Sequence, residues 1–162
     1  MLIWTIIAIL IVALDQLAKY LVLTKIDPME VIHVIPGLFD FVYVKNTGAA
    51  FSILSESTWL LSIISVLFCV GVIGYWFYKK PDHILMKISL TLLFAGAFGN
   101  AIDRIARGYV IDFIETVFID FPVFNVADIA ISCGAVIMAI YIIFFDKDEK
   151  DGESDSSNIK SE

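Results

Sequence analysis

The sequence predicts an α-helical membrane protein: four transmembrane helices with a small extracytoplasmic β-hairpin or sheet between the first two. Three observations lead there. Four apolar stretches are each long enough to cross a hydrocarbon core, which takes roughly 20 residues as helix. The 162-residue chain is 59% hydrophobic, above the roughly 45–50% of soluble domains. A segment between the first two stretches carries β-branched and aromatic runs broken by turn residues, the pattern of strands.

The first stretch runs from Leu2 to about Leu23 and is interrupted by Asp15, Gln16 and Lys19. It lacks a basic leading region and a small-x-small cleavage site, so it reads as a retained span and not a cleaved signal peptide. Next comes "EVIHVIPGLFDFVYVKNTG" (30–48), two strand-like runs split by Pro36-Gly37 and followed by a turn-like Asn46-Thr47-Gly48. A hairpin or small sheet there would present an apolar surface able to cradle an extended peptide or rest on lipid headgroups. The second stretch, Thr58 to Tyr78, is "TWLLSIISVLFCVGVIGYWFY" and has no charge. The third runs from Ile84 to about Ile102, with Lys87 near its start, where a long side chain can snorkel. The fourth runs from Val126 to Phe145. From Asp146 onward, "DKDEKDGESDSSNIKSE" holds seven acids against three lysines, with no core-forming residue beyond Ile159. That composition predicts a disordered, solvated tail. The expected organisation is one four-span domain over 1–145, a β-rich extracytoplasmic insertion at 30–55, and a cytoplasmic tail at 146–162.

Four spans place both termini on one side. Lys79, Lys80 and Lys87, between the second and third spans, favour the cytoplasmic face by the positive-inside rule. Lys25, Lys45, Arg104 and Arg107 fall on the other side, so the bias is modest, and it favours cytoplasmic termini.

The formal net charge of −7 comes largely from the tail. The remainder is close to balanced, which implies no nucleic-acid partner. Cys69 and Cys133 lie inside apolar runs and read as buried free thiols. His33 and His83 are isolated and no HExxH or Cys/His cluster occurs, so neither a metal nor a cofactor is expected.

Acids at the edges of apolar segments need a reason, because ionisable groups within spans cost about 2.5–3.5 kcal/mol and are functional candidates by default. Asp15 and Lys19 stand four apart on one helix face, either as a neutralising pair that locks the first helix or as support for a site. In "NVAD", Asn125 sits at an N-cap position with Asp128 at N3, a variant of the capping box that also suits the helix dipole. Asp112 taken alone fits an interfacial acid in a short loop. Asp103, Arg104 and Arg107 fit a surface salt-bridge cluster, and Asn100 after Gly99 fits a C-cap. Taken together, Asn46, Asn100, Asn125, the aspartates and an arginine gather on one predicted side of the membrane. Two carboxylates near a shared water form a catalytic device, since close like charges resist double ionisation and leave one protonated and one ionised. The ionised partner can take a proton from water while the other polarises a carbonyl.

The segments "GNAIDRIARGYVIDF" (99–113) and "FNVADIAI" (124–131) resemble the signature segments of signal peptidase II, the bacterial prolipoprotein signal peptidase family. "NTGAAFS" (46–52) and "LDQLAKY" (14–20) are similar to its two N-terminal motifs, in the expected order. The resemblance covers the chain from the first span to the fourth and stops at the acidic tail. It implies a four-helix membrane protein with a small extracytoplasmic β-domain. It also implies an aspartic endopeptidase that cuts diacylglyceryl-modified prolipoproteins before the lipid-carrying cysteine, with neither metal nor cofactor. By motif match, Asp112 and Asp128 correspond to the catalytic dyad. Asn46, Asn100, Asp103, Arg104 and Asn125 correspond to the polar residues that hold dyad or substrate, and Asp15 and Lys19 to a supporting pair.

Other classes stay in view. A proton-coupled transporter would relay protons through Asp15, Asp103 and Asp128, yet these acids cluster toward one face and no broken-helix repeat is visible. A non-catalytic assembly factor would use the polar cluster only to dock helices. A serine–lysine protease would need Ser52 beside Lys45, and nothing in "KNTGAAFS" brings them together.

Overall fold

The computed structural model describes residues 1–48 and 57–145. Ser52, part of the 30–55 insertion and the acidic tail lie outside the described residues. Four helices long and apolar enough to cross a membrane run over Leu2–Lys25 (α1), Thr58–Lys79 (α2), Ile84–Arg107 (α3) and Val126–Phe144 (α4). Each begins where the hydropathy pattern put it. α1 and α3 continue past their last apolar run, because Lys25 and Arg104–Arg107 add a final turn whose cations suit a helix C-terminus. Gly108, at φ +79, then ends α3 in the left-handed conformation that glycine adopts without steric cost.

α3 is the hub. It packs against the other three helices, and its span is the most buried of the four. Small residues make this possible. A Cβ added at Gly96 would clash with the Ala127 carbonyl oxygen, and one at Gly134 would lie 2.9 Å from Leu93. α3 and α4 therefore approach nearly backbone to backbone, and Ser89 Oγ seals the contact by donating to the Gly134 carbonyl at 2.8 Å. α2 keeps its two glycines, Gly71 and Gly74, facing open space, and carries many exposed large apolar side chains suited to lipid.

The sheet has three antiparallel strands in the order β1-β2-β3: Ile32–Ile35, Phe39–Asn46 and Val110–Thr116. β1 and β2 form the hairpin expected from the sequence, turning at Gly37 (φ +77). β3 was not expected. Asp112 lies within this strand, paired with Val44, and not in a loop. The segment "VIDFIET" has the β-branched and aromatic content of a strand, and pairing with β2 satisfies backbone groups a loop would leave exposed. Ile111 and Phe113 pack with Val22 of α1 and with Ile26 just beyond its end, so the sheet rests on one end of the bundle. The chain leaving β3 folds back, and Phe124 exchanges backbone hydrogen bonds with Ile114 just before α4 begins.

Candidate active site

At the sheet end of the bundle, β3, the last turns of α3 and the first turn of α4 bring their polar side chains together. Asp112 and Asp128 both line a cavity of about 1060 Å³ whose remaining wall is mostly apolar, including Ile64 and Phe68 of α2 and Ile129 of α4. Asn46, Asn100 and Arg104 line the same cavity.

Every oxygen of the two carboxylates accepts a hydrogen bond from an amide nitrogen. Asp112 Oδ1 accepts from Asn125 Nδ2 at 2.6 Å, and Oδ2 from Asn46 Nδ2 at 2.7 Å. Asp128 Oδ1 accepts from Asn100 Nδ2 at 2.8 Å, and Oδ2 from the Asn125 backbone N–H at 3.1 Å. Each carboxylate oxygen keeps a second lone pair for other work. The expected capping box is present: Asn125 Oδ1 accepts from the Asp128 N–H at 3.0 Å while Asp128 returns the bond. Asp128 is thus a helix cap and a cavity-lining carboxylate at once. The two roles do not compete.

Burial pushes the Asp112 carboxyl up to about 6, and the neighbouring Asp128 charge pushes the same way. The hydrogen bonds from Asn46 and Asn125 and the Lys19 charge pull it back.

Behind the carboxylates lies a fully buried ionic node. Lys19 Nζ is 2.9 Å from Asp15 Oδ2 and 3.1 Å from Asp103 Oδ2, and donates to Asn100 Oδ1 at 2.9 Å. All three ammonium donors are engaged, which a buried cation requires if it is to stay charged without a large penalty. The pairing of Asp15 with Lys19 expected from the sequence is present, and Asp103 joins it. Asp103 also pairs with Arg107 and accepts the backbone N–H of Ile111 at 3.2 Å, tying α3 to the strand residue next to Asp112. Asp15 Oδ1 accepts the Ala127 N–H at 2.9 Å, tying α1 to the residue next to Asp128.

Several simpler expectations fail here. Asp103 is fully buried, so the Asp103–Arg107 pair is no surface cluster. Arg104 reaches instead to the Gly48 carbonyl at 3.2 Å, and its buried Nε has no partner among the described residues. Asn100 does not cap α3, which continues two further turns, and its side chain turns inward to Lys19 and Asp128. Cys69 is buried as expected, whereas Cys133 is exposed and lines the cavity. Two contributors were missed. Gln16 Nε2 bridges Asp15, the Gly99 carbonyl and Asp103, and its polarity inside an apolar span was the available signal. Gly48 donates its N–H to Asn46 Oδ1 at 2.9 Å, which no residue pattern announced.

Comparison with known proteins places the chain in a family. Residues 7–144 match the family description of signal peptidase (SPase) II. The chain is 41% identical over 148 residues to a lipoprotein signal peptidase of Latilactobacillus sakei subsp. sakei, covering 91% of this chain and 97% of that one. It is 43% identical over 136 residues to a lipoprotein signal peptidase of Streptococcus pyogenes serotype M5, covering 82% and 87%. A bacterial membrane enzyme solved by the in meso method at 2.3 Å superposes with a TM-score of 0.83 at 34% identity, over 86% of this chain and 87% of that one. A second, at 1.9 Å, gives 0.80 at 33% identity over 88% and 93%. With four apolar helices, a three-stranded antiparallel sheet and this degree of likeness over most of its length, the chain belongs to the signal peptidase II family of membrane aspartic proteases, which cleave lipoprotein signal peptides.

Proposed function

We propose that Asp112 and Asp128 are the catalytic dyad, and that they cut diacylglyceryl-modified prolipoproteins immediately before the lipid-carrying cysteine. The observation that carries this reading is the placement of both carboxylates in one cavity, each oxygen oriented by an amide donor.

The dyad holds one proton. Its ionised member takes a proton from water as the water oxygen attacks the carbonyl carbon preceding the cysteine. Its protonated member gives its proton to the carbonyl oxygen, so a neutral gem-diol forms and the dyad still holds one proton. Collapse returns a hydroxyl proton to the ionised member. The C–N bond breaks as the other member protonates the cysteine nitrogen. The signal peptide leaves with a carboxyl group, the lipidated cysteine keeps a free amine, and the dyad again holds one proton. Asn46, Asn100 and Asn125 hold the dyad's geometry. Arg104, on the cavity wall, suits a substrate carbonyl through its guanidinium. Asp103, Asp15 and Lys19 support the strand and helix from behind.

The lysines between α2 and α3 favour a cytoplasmic position for both termini, which puts the cavity at the extracytoplasmic surface of the bacterial inner membrane. There a cysteine anchored by its acyl chains in the outer leaflet presents its scissile bond. Residues 1–145 serve as the catalytic membrane domain, acting as a monomer among membrane lipids, and the tail from 146 supplies no group to the reaction.

The test is product mapping. Purified protein in detergent is given paired lipobox peptides, with and without the diacylglyceryl group, in the presence of chelator. A new N-terminus at the lipidated cysteine, formed only from the modified peptide, is the expected result. Cleavage at another bond, or equal cleavage of the unmodified peptide, would defeat the substrate assignment. Truncation after Phe145 should leave turnover unchanged.

A further inference from the structure

We infer that Lys19 is a positioning residue for the dyad: its ammonium fixes which way the Asn100 amide points, so that Asn100 can only donate to Asp128. The inference rests on the assignment of Asp112 and Asp128 as the dyad. An asparagine side chain is nearly symmetric in shape, and only its hydrogen-bond partners decide which end is oxygen and which nitrogen. Three asparagines face the dyad, and each must present nitrogen to a carboxylate.

All three are oriented by the same device, a donor-only group aimed at the oxygen. Asn46 Oδ1 accepts from the Gly48 backbone N–H, and Asn125 Oδ1 from the Asp128 backbone N–H. Neither backbone donor can reverse. Among the described residues no backbone donor serves Asn100, and the group at its oxygen is Lys19 Nζ at 2.9 Å. An ammonium has three donors and no acceptor, so it fixes the amide as firmly as a peptide N–H would. Asn125 Nδ2 adds a longer 3.2 Å bond to the same oxygen, but that nitrogen also serves Asp112 at 2.6 Å. The charged groups surrounding Asn100 are Lys19 and Asp15 from α1, Asp103 and Arg104 from α3, Asp112 from β3 and Asp128 from α4. Asp15 and Asp103 hold the lysine in place, and Lys19 passes that placement to Asp128 through one amide.

Without the ammonium, Asn100 can turn its oxygen toward Asp128. Two acceptors then face each other unless Asp128 is protonated, and the dyad's charge distribution is disturbed with the helices still in place.

The experiment is a double-mutant cycle on turnover of the lipidated peptide, using Lys19→Met, Asn100→Ala and the pair, with folding followed by thermal unfolding. Each single change should lower kcat about tenfold or more while KM stays within about twofold, and the pair should fall no further than Asn100→Ala alone, because residues acting as one unit are not additive. Losses that multiply, or an unchanged kcat in Lys19→Met, overturn the inference. Lys19→Met strands two buried acids, so if it does not fold the cycle is repeated in an Asp103→Asn background. A wild-type measurement stands independently of both. With ¹⁵N-labelled asparagine, the Asn100 side-chain amide signal, identified by its absence in Asn100→Ala, should form one pair that shifts as the dyad titrates. Two interconverting sets, or one insensitive to the dyad, overturn the inference. Asp112→Asn and Asp128→Asn are assayed alongside: if they keep turnover the dyad assignment itself fails, and if they lose it while the cycle is additive only the role of Lys19 fails.

Discussion

Asn125 donates to Asp112 at 2.6 Å from a side chain whose own oxygen caps α4. One residue therefore joins the strand carrying the first carboxylate to the helix carrying the second. Serine at 125 can still accept the helix N–H, since serine is a good N-cap, but it has no nitrogen to offer Asp112. Asn125→Ser should keep stability within about 1 kcal/mol of wild type and lower kcat about 10–100-fold, the scale of losing one hydrogen bond to a charged group. Thermal unfolding and turnover measured together separate the two effects. A variant with normal turnover would show that the amide is not needed to hold Asp112.

In the proposed mechanism the raised Asp112 carboxyl sets a pH dependence for turnover. Burial holds the Asp112 carboxyl protonated up to about pH 6. In the proposed mechanism the dyad reacts with one proton, so kcat/KM should fall with unit slope as pH rises past about 6. The limb in kcat should lie at higher pH, because a bound lipopeptide excludes water and further disfavours the charged form. A kcat/KM that rises through this range would contradict a singly protonated dyad.

The same carboxyl sets a pH dependence for stability. Its folded-state affinity for protons exceeds that of an ordinary carboxyl, so its contribution is full below about pH 4 and is lost as pH rises through about 6. A shift of this size corresponds to an order of 3 kcal/mol. Unfolding measured against pH for wild type and Asp112→Asn should differ by that slope, with the variant the flatter. Parallel curves would mean the carboxyl titrates normally in the folded protein.

Helix packing makes a contrasting pair of predictions. At Gly96 a methyl group would clash with the Ala127 backbone oxygen, and backbone cannot step aside as a side chain can. Gly96→Ala should cost about 1–3 kcal/mol as an overpacked contact and lower turnover, because α4 must shift just where Asp128 begins it. At Gly71 the space is open, and alanine there should be neutral or stabilising by up to about 1 kcal/mol. Thermal unfolding of both variants in one detergent is the check.

The helices were legible because each is a continuous apolar run, and the α4 cap was legible because Asn125 and Asp128 stand at fixed spacing before one. The Asp15–Lys19 pair could be read from a four-residue interval. Strand β3 was hidden because its partner lies more than sixty residues away in β2, so no local pattern distinguishes pairing from a loop. Asn100 followed a glycine and so resembled a helix end. Its true role depends on Lys19 and Asp128, which only the packing of three helices brings to it. Asp103 and Arg107 sit at a spacing equally suited to a surface pair. Burial, which depends on α1 and on the sheet, made the difference.

The most direct measurement is turnover of a diacylglyceryl-modified lipobox peptide by Asp112→Asn and Asp128→Asn beside wild type, with thermal unfolding of all three. Dyad chemistry predicts that both variants fold, bind the peptide and cleave nothing detectable, since an amide can neither take a proton from water nor hold one for the leaving nitrogen. Near-normal cleavage by either well-folded variant would remove that aspartate from the reaction and leave the cavity without its two-carboxylate mechanism.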